Sequence, residues 1–183
     1  GGLLGATNIG LAVRQGATFD LNGVSVGTVA SGTNSVDALN GAGIITNSGA
    51  LATLRVGNNN GSGYFTGDIT DANLNLVKSG TGTLSLTSPN SSFGTLTLSA
   101  GTVAFALPQG TTTMNAGVSS PIGNGDTAAS LVFNGGILQY TGSNATIFSS
   151  TQSPSFSTNR EFTLAGNGTI QSSGQFGNNV LAA

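Results

Sequence analysis

Histidine and cysteine are absent from this 183-residue chain, and charge is scarce. Without histidine, the commonest general base, metal ligand and triad member is missing. Without cysteine there is neither a disulfide nor a thiolate zinc site. Only 5% of the residues are charged, against a usual share of about a quarter. The cations are Arg14, Arg55, Lys78 and Arg160 within a net charge of −2, so the basic footprint that nucleic acid or an anionic membrane requires is lacking. No run approaches the roughly 18 apolar residues of a membrane-spanning helix. The opening GGLLGATNIGLAV carries neither an initiator methionine nor a basic flank and reads as mature or excised sequence.

What fills the chain instead is glycine, at 30 residues, with serine, threonine and asparagine. A surface of hydroxyls and amides suits an exported protein. Ordering each residue costs roughly 1–2 kcal/mol, which apolar burial must offset. Val, Ile, Leu and Phe recur in short clusters throughout, so the segments between glycines have something to bury, and the length suits one domain with a sizeable core.

Apolar and polar residues alternate with period two in Thr18-Phe19-Asp20-Leu21, Ala52-Thr53-Leu54-Arg55-Val56, Leu84-Ser85-Leu86, Leu96-Thr97-Leu98, Leu131-Val132-Phe133 and Ile137-Leu138-Gln139-Tyr140. This is the signature of short strands with one buried face. Glycine-bearing breaks such as Asn22-Gly23, Gly80-Thr81-Gly82, Ala100-Gly101 and Asn134-Gly135-Gly136 separate them and leave little room for helix. Val36 to Asn40 and Pro121 onward are the best helical candidates, a turn or so each.

Many short strands fit a sandwich, a barrel or a solenoid, and repetition decides among them. Equivalent positions of successive coils face the same surroundings and drift toward the same residues. Here Thr83-Leu84-Ser85-Leu86 returns as Thr95-Leu96-Thr97-Leu98, and one phrase recurs as Gly82-Thr83-Leu84, Gly101-Thr102-Val103, Gly136-Ile137-Leu138 and Gly168-Thr169-Ile170. The expected fold is all-β: a right-handed parallel β-helix, or β-solenoid, of short strands with Gly/Asn-rich corners. Residues 1–183 read as one solenoid segment, its clearest repeat at 77–103. At about 20–25 residues per coil and about 4.8 Å per layer, it would make roughly eight coils, a rod about 40 Å long.

Val77-Lys78-Ser79-Gly80-Thr81-Gly82-Thr83-Leu84-Ser85-Leu86, then Asn90, Phe93-Gly94-Thr95-Leu96-Thr97-Leu98 and Ala100-Gly101-Thr102-Val103, resembles the autotransporter-associated β-strand repeat, a passenger-associated repeat of bacterial surface and autotransporter-like proteins. The resemblance implies a right-handed β-helix in an exported passenger, where such repeats act as stalk. Pro89 and the short Ser91-Ser92 link depart from the usual glycine-rich turn. The ending Asn178-Asn179-Val180-Leu181-Ala182-Ala183 lacks the alternating strands of a membrane barrel, so the chain reads as an internal segment or as a member without its translocator.

No residues are assigned to catalysis, cofactor binding or metal binding. Gly23-Val24-Ser25-Val26-Gly27 matches G-x-S-x-G, but a nucleophile elbow needs a following helix and a histidine, so Ser25 reads as a strand residue. Asp68 and Asp71, with Lys78 downstream, form the one close acidic pair and read as the bounds of a loop rather than as glycosidase carboxylates. Gly123-Asn124-Gly125-Asp126 resembles a calcium-binding turn, yet such sites are built from repeated copies, and a simple Asx turn suffices. Tyr64 and Phe65, beside Asn58-Asn59-Asn60, could stack on sugar or straddle a strand. Asn60, Asn90, Asn144 and Asn167 sit in N-x-S/T patterns that also mark turns.

The expected function is a non-enzymatic structural segment of an extracellular or cell-surface bacterial protein: stalk, spacer or fibre subunit. Neither end looks like a polar cap, so its expected partner is another coil, in a longer chain or a second subunit stacked end to end. An adhesin-like module binding a surface glycan or host protein through Tyr64 or Tyr140 is the alternative. A β-helical polysaccharide-degrading enzyme ranks below both.

Overall fold

The computed structural model describes residues 9–26, 36–108, 111, 113–142 and 157–172. Its strands form three parallel stacks, visited in turn as the chain advances. The first holds β5 (Ala52–Val56), β8 (Leu74–Lys78), β10 (Thr95–Leu98), β12 (Leu131–Phe133) and β14 (Thr163–Leu164). The second holds β1 (Ile9–Val13), β3 (Val36–Gly41), β6 (Gly63–Phe65), β9 (Thr83–Leu86), β11 (Thr102–Phe105), β13 (Ile137–Tyr140) and β15 (Thr169–Ser172). The third holds β2 (Thr18–Asp20), β4 (Ile44–Thr46) and β7 (Asp68–Ile69). Every strand pairing is parallel between strands of successive layers, which is a parallel β-helix.

The inward residues build unbroken columns. Leu54, Leu76, Leu96 and Leu131 stack in one, and Leu84, Val103, Leu138 and Ile170 in another. A third runs Phe65, Leu86, Phe105 and Tyr140. The recurring glycine phrase is the corner before the second stack, since Thr83, Thr102, Ile137 and Thr169 share one register position. The twin tetrads 83–86 and 95–98 lie on different stacks: β9 pairs with β11, and β10 with β8.

Two expectations change. Val36 to Asn40 is strand, and Pro121-Ile122 is a turn in which the Ile122 N–H donates to Ser120 Oγ (3.2 Å). The described residues hold one helical turn, the 3₁₀ segment Ala128–Ser130. β3 passes the corner without a loop, its first residue pairing with Val56 and its last with Phe65. Its buried Val36 and Leu39 are therefore three apart, a spacing that imitates a helix.

The described residues give seven layers in the second stack, about 30 Å at ~4.8 Å per step. Coils are uneven, which is why the count falls below eight. From Leu86 to its partner Phe105 the chain takes 19 residues, whereas from Phe105 to Tyr140 it takes 35. The surplus leaves on the third side, between Phe105 and Leu131, while the first two ladders keep their register.

Buried Asn47 ties three layers together there. Its Oδ1 accepts from Gly23 N (2.7 Å), and its Nδ2 donates to Ala50 O (2.8 Å) and Asn73 O (2.9 Å). Alanine would leave one donor and two acceptors unsatisfied, so Asn47→Ala is expected to lose about 2–3 kcal/mol. A shift in urea midpoint at unchanged slope checks it.

Candidate functional site

Ser25 serves the ladder: its Oγ accepts from Thr53 N (3.0 Å) beside the parallel bridge between Val26 and Leu54. Asp68 lies in the third stack, where its carboxylate accepts from the Ser88 hydroxyl. Asp71 has φ +97° and accepts from Asn73 N (2.8 Å), an Asx turn. Lys78 points inward at the end of β8. The structure thus gives Asp68 and Asp71 separate turn-building partners and directs the lysine toward the interior.

At 123–126 a cation is already supplied. Arg160 Nη2 donates to Gly123 O (2.8 Å) and Val118 O (2.6 Å), and burial lowers the guanidinium pKa from its usual value. Asn159 Oδ1 accepts from Ala116 N (2.7 Å), and Thr158 Oγ1 donates to Met114 O (2.7 Å). Arg160 and its neighbours therefore fasten the segment between Phe105 and Leu131 to the layer above. Among the described residues, no three His, Cys, Asp or Glu side chains are grouped to hold a metal.

Tyr64 is 57% exposed, while Phe65 on the same strand is fully buried. Tyr140 is not the exposed aromatic it was expected to be. Its ring lies inside, 5.4 Å from that of Phe105, because residue 140 continues the inward column of Phe65 and Leu86. Asn60 has φ +70° and accepts from Thr81 N (2.9 Å), the Asn90 N–H donates to Ser88 Oγ (3.2 Å), and the Asn167 carbonyl accepts from Gly135 N (2.5 Å). These asparagines build turns. Asn144 lies outside the described residues.

The residue that sequence reasoning missed is Lys78. It is 0% exposed and occupies a column between Val56 and Leu98, where every other described position is aliphatic or aromatic. Its Nζ donates to the carbonyls of Ser79 and Gly80 (3.0 Å to the latter). The alternation Leu74-Asn75-Leu76-Val77-Lys78 carried the signal, because it puts residue 78 on the inward side. Burial pushes the amine down to about 8, with Asp37 acting in the opposite sense. Between that value and the ordinary 10.5 the unfolded chain binds more protons than the folded one, so stability is expected to rise with pH across this window. Above pH 10 the buried phenol of Tyr140, raised by desolvation, acts the other way. Urea midpoints from pH 7 to 10 should climb in the native chain and stay level in Lys78→Met.

No family model matches the chain, and no solved structure matches it. The chain is similar to the adhesin BmaC autotransporter of Brucella suis biovar 1 (strain 1330), with 35% identity over 181 residues covering 94% of this chain. It spans 4% of that relative's length. The similarity supports an autotransporter-related origin and an extracellular or cell-surface location for this β-helical segment.

Proposed function

We propose that the chain is a non-enzymatic structural segment, a stalk or spacer, whose last coil is covered by a further coil of the same polypeptide or of a second subunit. The assignment of 77–103 to the autotransporter-associated repeat, and of 1–183 to one solenoid, belongs to the same reading. The observation that carries it is the condition of the last described layer. Leu164 continues the inward column of Leu98 and Phe133 yet is 64% exposed, and Ile170 continues that of Val103 and Leu138 yet is 45% exposed. Such positions are built to be covered, and a parallel edge accepts another strand readily.

Light scattering from micromolar to millimolar protein tests the self-association arm. The native chain is expected to form end-to-end oligomers, and Leu164→Asp with Ile170→Asp to return it to monomer with its circular dichroism retained. A native chain that stays monomeric throughout would count against association through this end.

A second reading, an adhesin-like module, draws on the name of the relative and on Tyr64, which offers an exposed ring on a flat strand surface. Binding on a glycan array that Tyr64→Ala abolishes would support it, and an array without hits would remove the sugar version.

A further inference from the structure

Strands of period two specify which side chains face inward, but a shift of pairing by two residues leaves that pattern intact. β8 sets Leu74, Leu76 and Lys78 over Ala52, Leu54 and Val56, and Leu96 and Leu98 lie over Leu76 and Lys78. The aliphatic members of these columns are nearly interchangeable, so slipped layers would bury much the same surface.

Lys78 is not interchangeable. It is the single lysine in the chain, and its ammonium sits among the corner glycines of three successive layers. It donates to the carbonyls of Ser79 and Gly80, and a methyl group on Gly57 or Gly101 would stand 2.8 or 2.9 Å from Nζ. A shift of two residues would carry the ammonium toward the level of Leu54 and Leu96 or past the corner, away from these carbonyls in either direction. A buried charge without acceptors is strongly disfavoured.

We propose that Lys78 is a register pin: its hydrogen bonds inside the glycine corner admit one stacking of the layers from Ala52 to Phe105 and penalise the slipped ones. Buried polar groups that select register at a cost in stability act on the same physics. The inference concerns how the coils find their pairing and stands apart from the stalk reading.

Two experiments test it. In amide-resolved NMR, Lys78→Met is expected to give a second set of resonances across Ala52–Val56 and Thr95–Leu98. Leu76→Ala, on the same strand, should lower the unfolding midpoint while keeping one set. A single set from Lys78→Met, or doubling in both variants, would overturn the pin. Acylation of the native chain by an N-hydroxysuccinimide ester provides the second arm, with the α-amino group as internal reference. Lys78 is expected to react about 1,000-fold more slowly than in urea, since the ammonium must leave its corner to be modified. Reaction within tenfold of the unfolded rate would overturn the proposal, and this arm decides alone should Lys78→Met not fold.

Discussion

Gly80→Ala is expected to remove at least about 3 kcal/mol of stability, enough to abolish cooperative folding in a marginal chain. Gly80 has φ +62°, which costs an L-residue about 1–2 kcal/mol. The larger effect comes from the neighbouring layer. A methyl group here would collide with the Gly57 carbonyl and lie 3.0 Å from Asn60 N, both backbone atoms held in the corner beneath. Neither can move without parting two layers. Gly16→Ala separates the two causes: Gly16 has φ +80° but nothing within 4 Å of an added methyl, so it should lose only the conformational 1–2 kcal/mol or so. Equal urea midpoints for the two variants would show that layer contact is not the constraint.

Phe133→Ala is expected to cost about 3–5 kcal/mol, felt mainly at one end of the molecule. Phe133 lies in the inward column between Leu98 and Leu164, with the ring of Phe162 edge-on at 5.6 Å. Because each coil of a solenoid leans only on its neighbours, loss of this ring should release the last layer while leaving the earlier ones paired. Hydrogen exchange reads this directly: Thr163–Leu164 and Thr169–Ser172 should lose protection, and Leu74–Lys78 and Thr83–Leu86 should keep it. Uniform loss along the chain would show that the coils unfold as one body.

The regular half of the fold was legible in the sequence, and the physical reason is repetition. Where coils are short, as from Leu74 to Phe105, alternation sets the inward residues and glycine sets the corners, so stacking could be inferred from the phrase Gly-Thr-Leu alone. The misreadings arose where the chain departs from that rhythm. Val36–Gly41 bends through a corner as continuous strand and so loses its period of two. Tyr140 looked free for binding because its hydroxyl suggests a surface role, yet register with Phe105 sends it inside. Arg160 and the carbonyls it meets are 37 and 42 residues apart, a pairing that no local pattern announces. Lys78 was read as surface charge, although its own strand placed it inward.

The uneven coils have a consequence for engineering. Both ladders step from Phe105 to Tyr140 and from Leu98 to Phe133 without a shift, although far more chain departs between them than in the layer before. The pitch is therefore indifferent to cargo on that flank. Guest peptides spliced between Phe105 and Leu131 would be carried sideways at a fixed height, and a tandem series of such coils would space its guests like rungs.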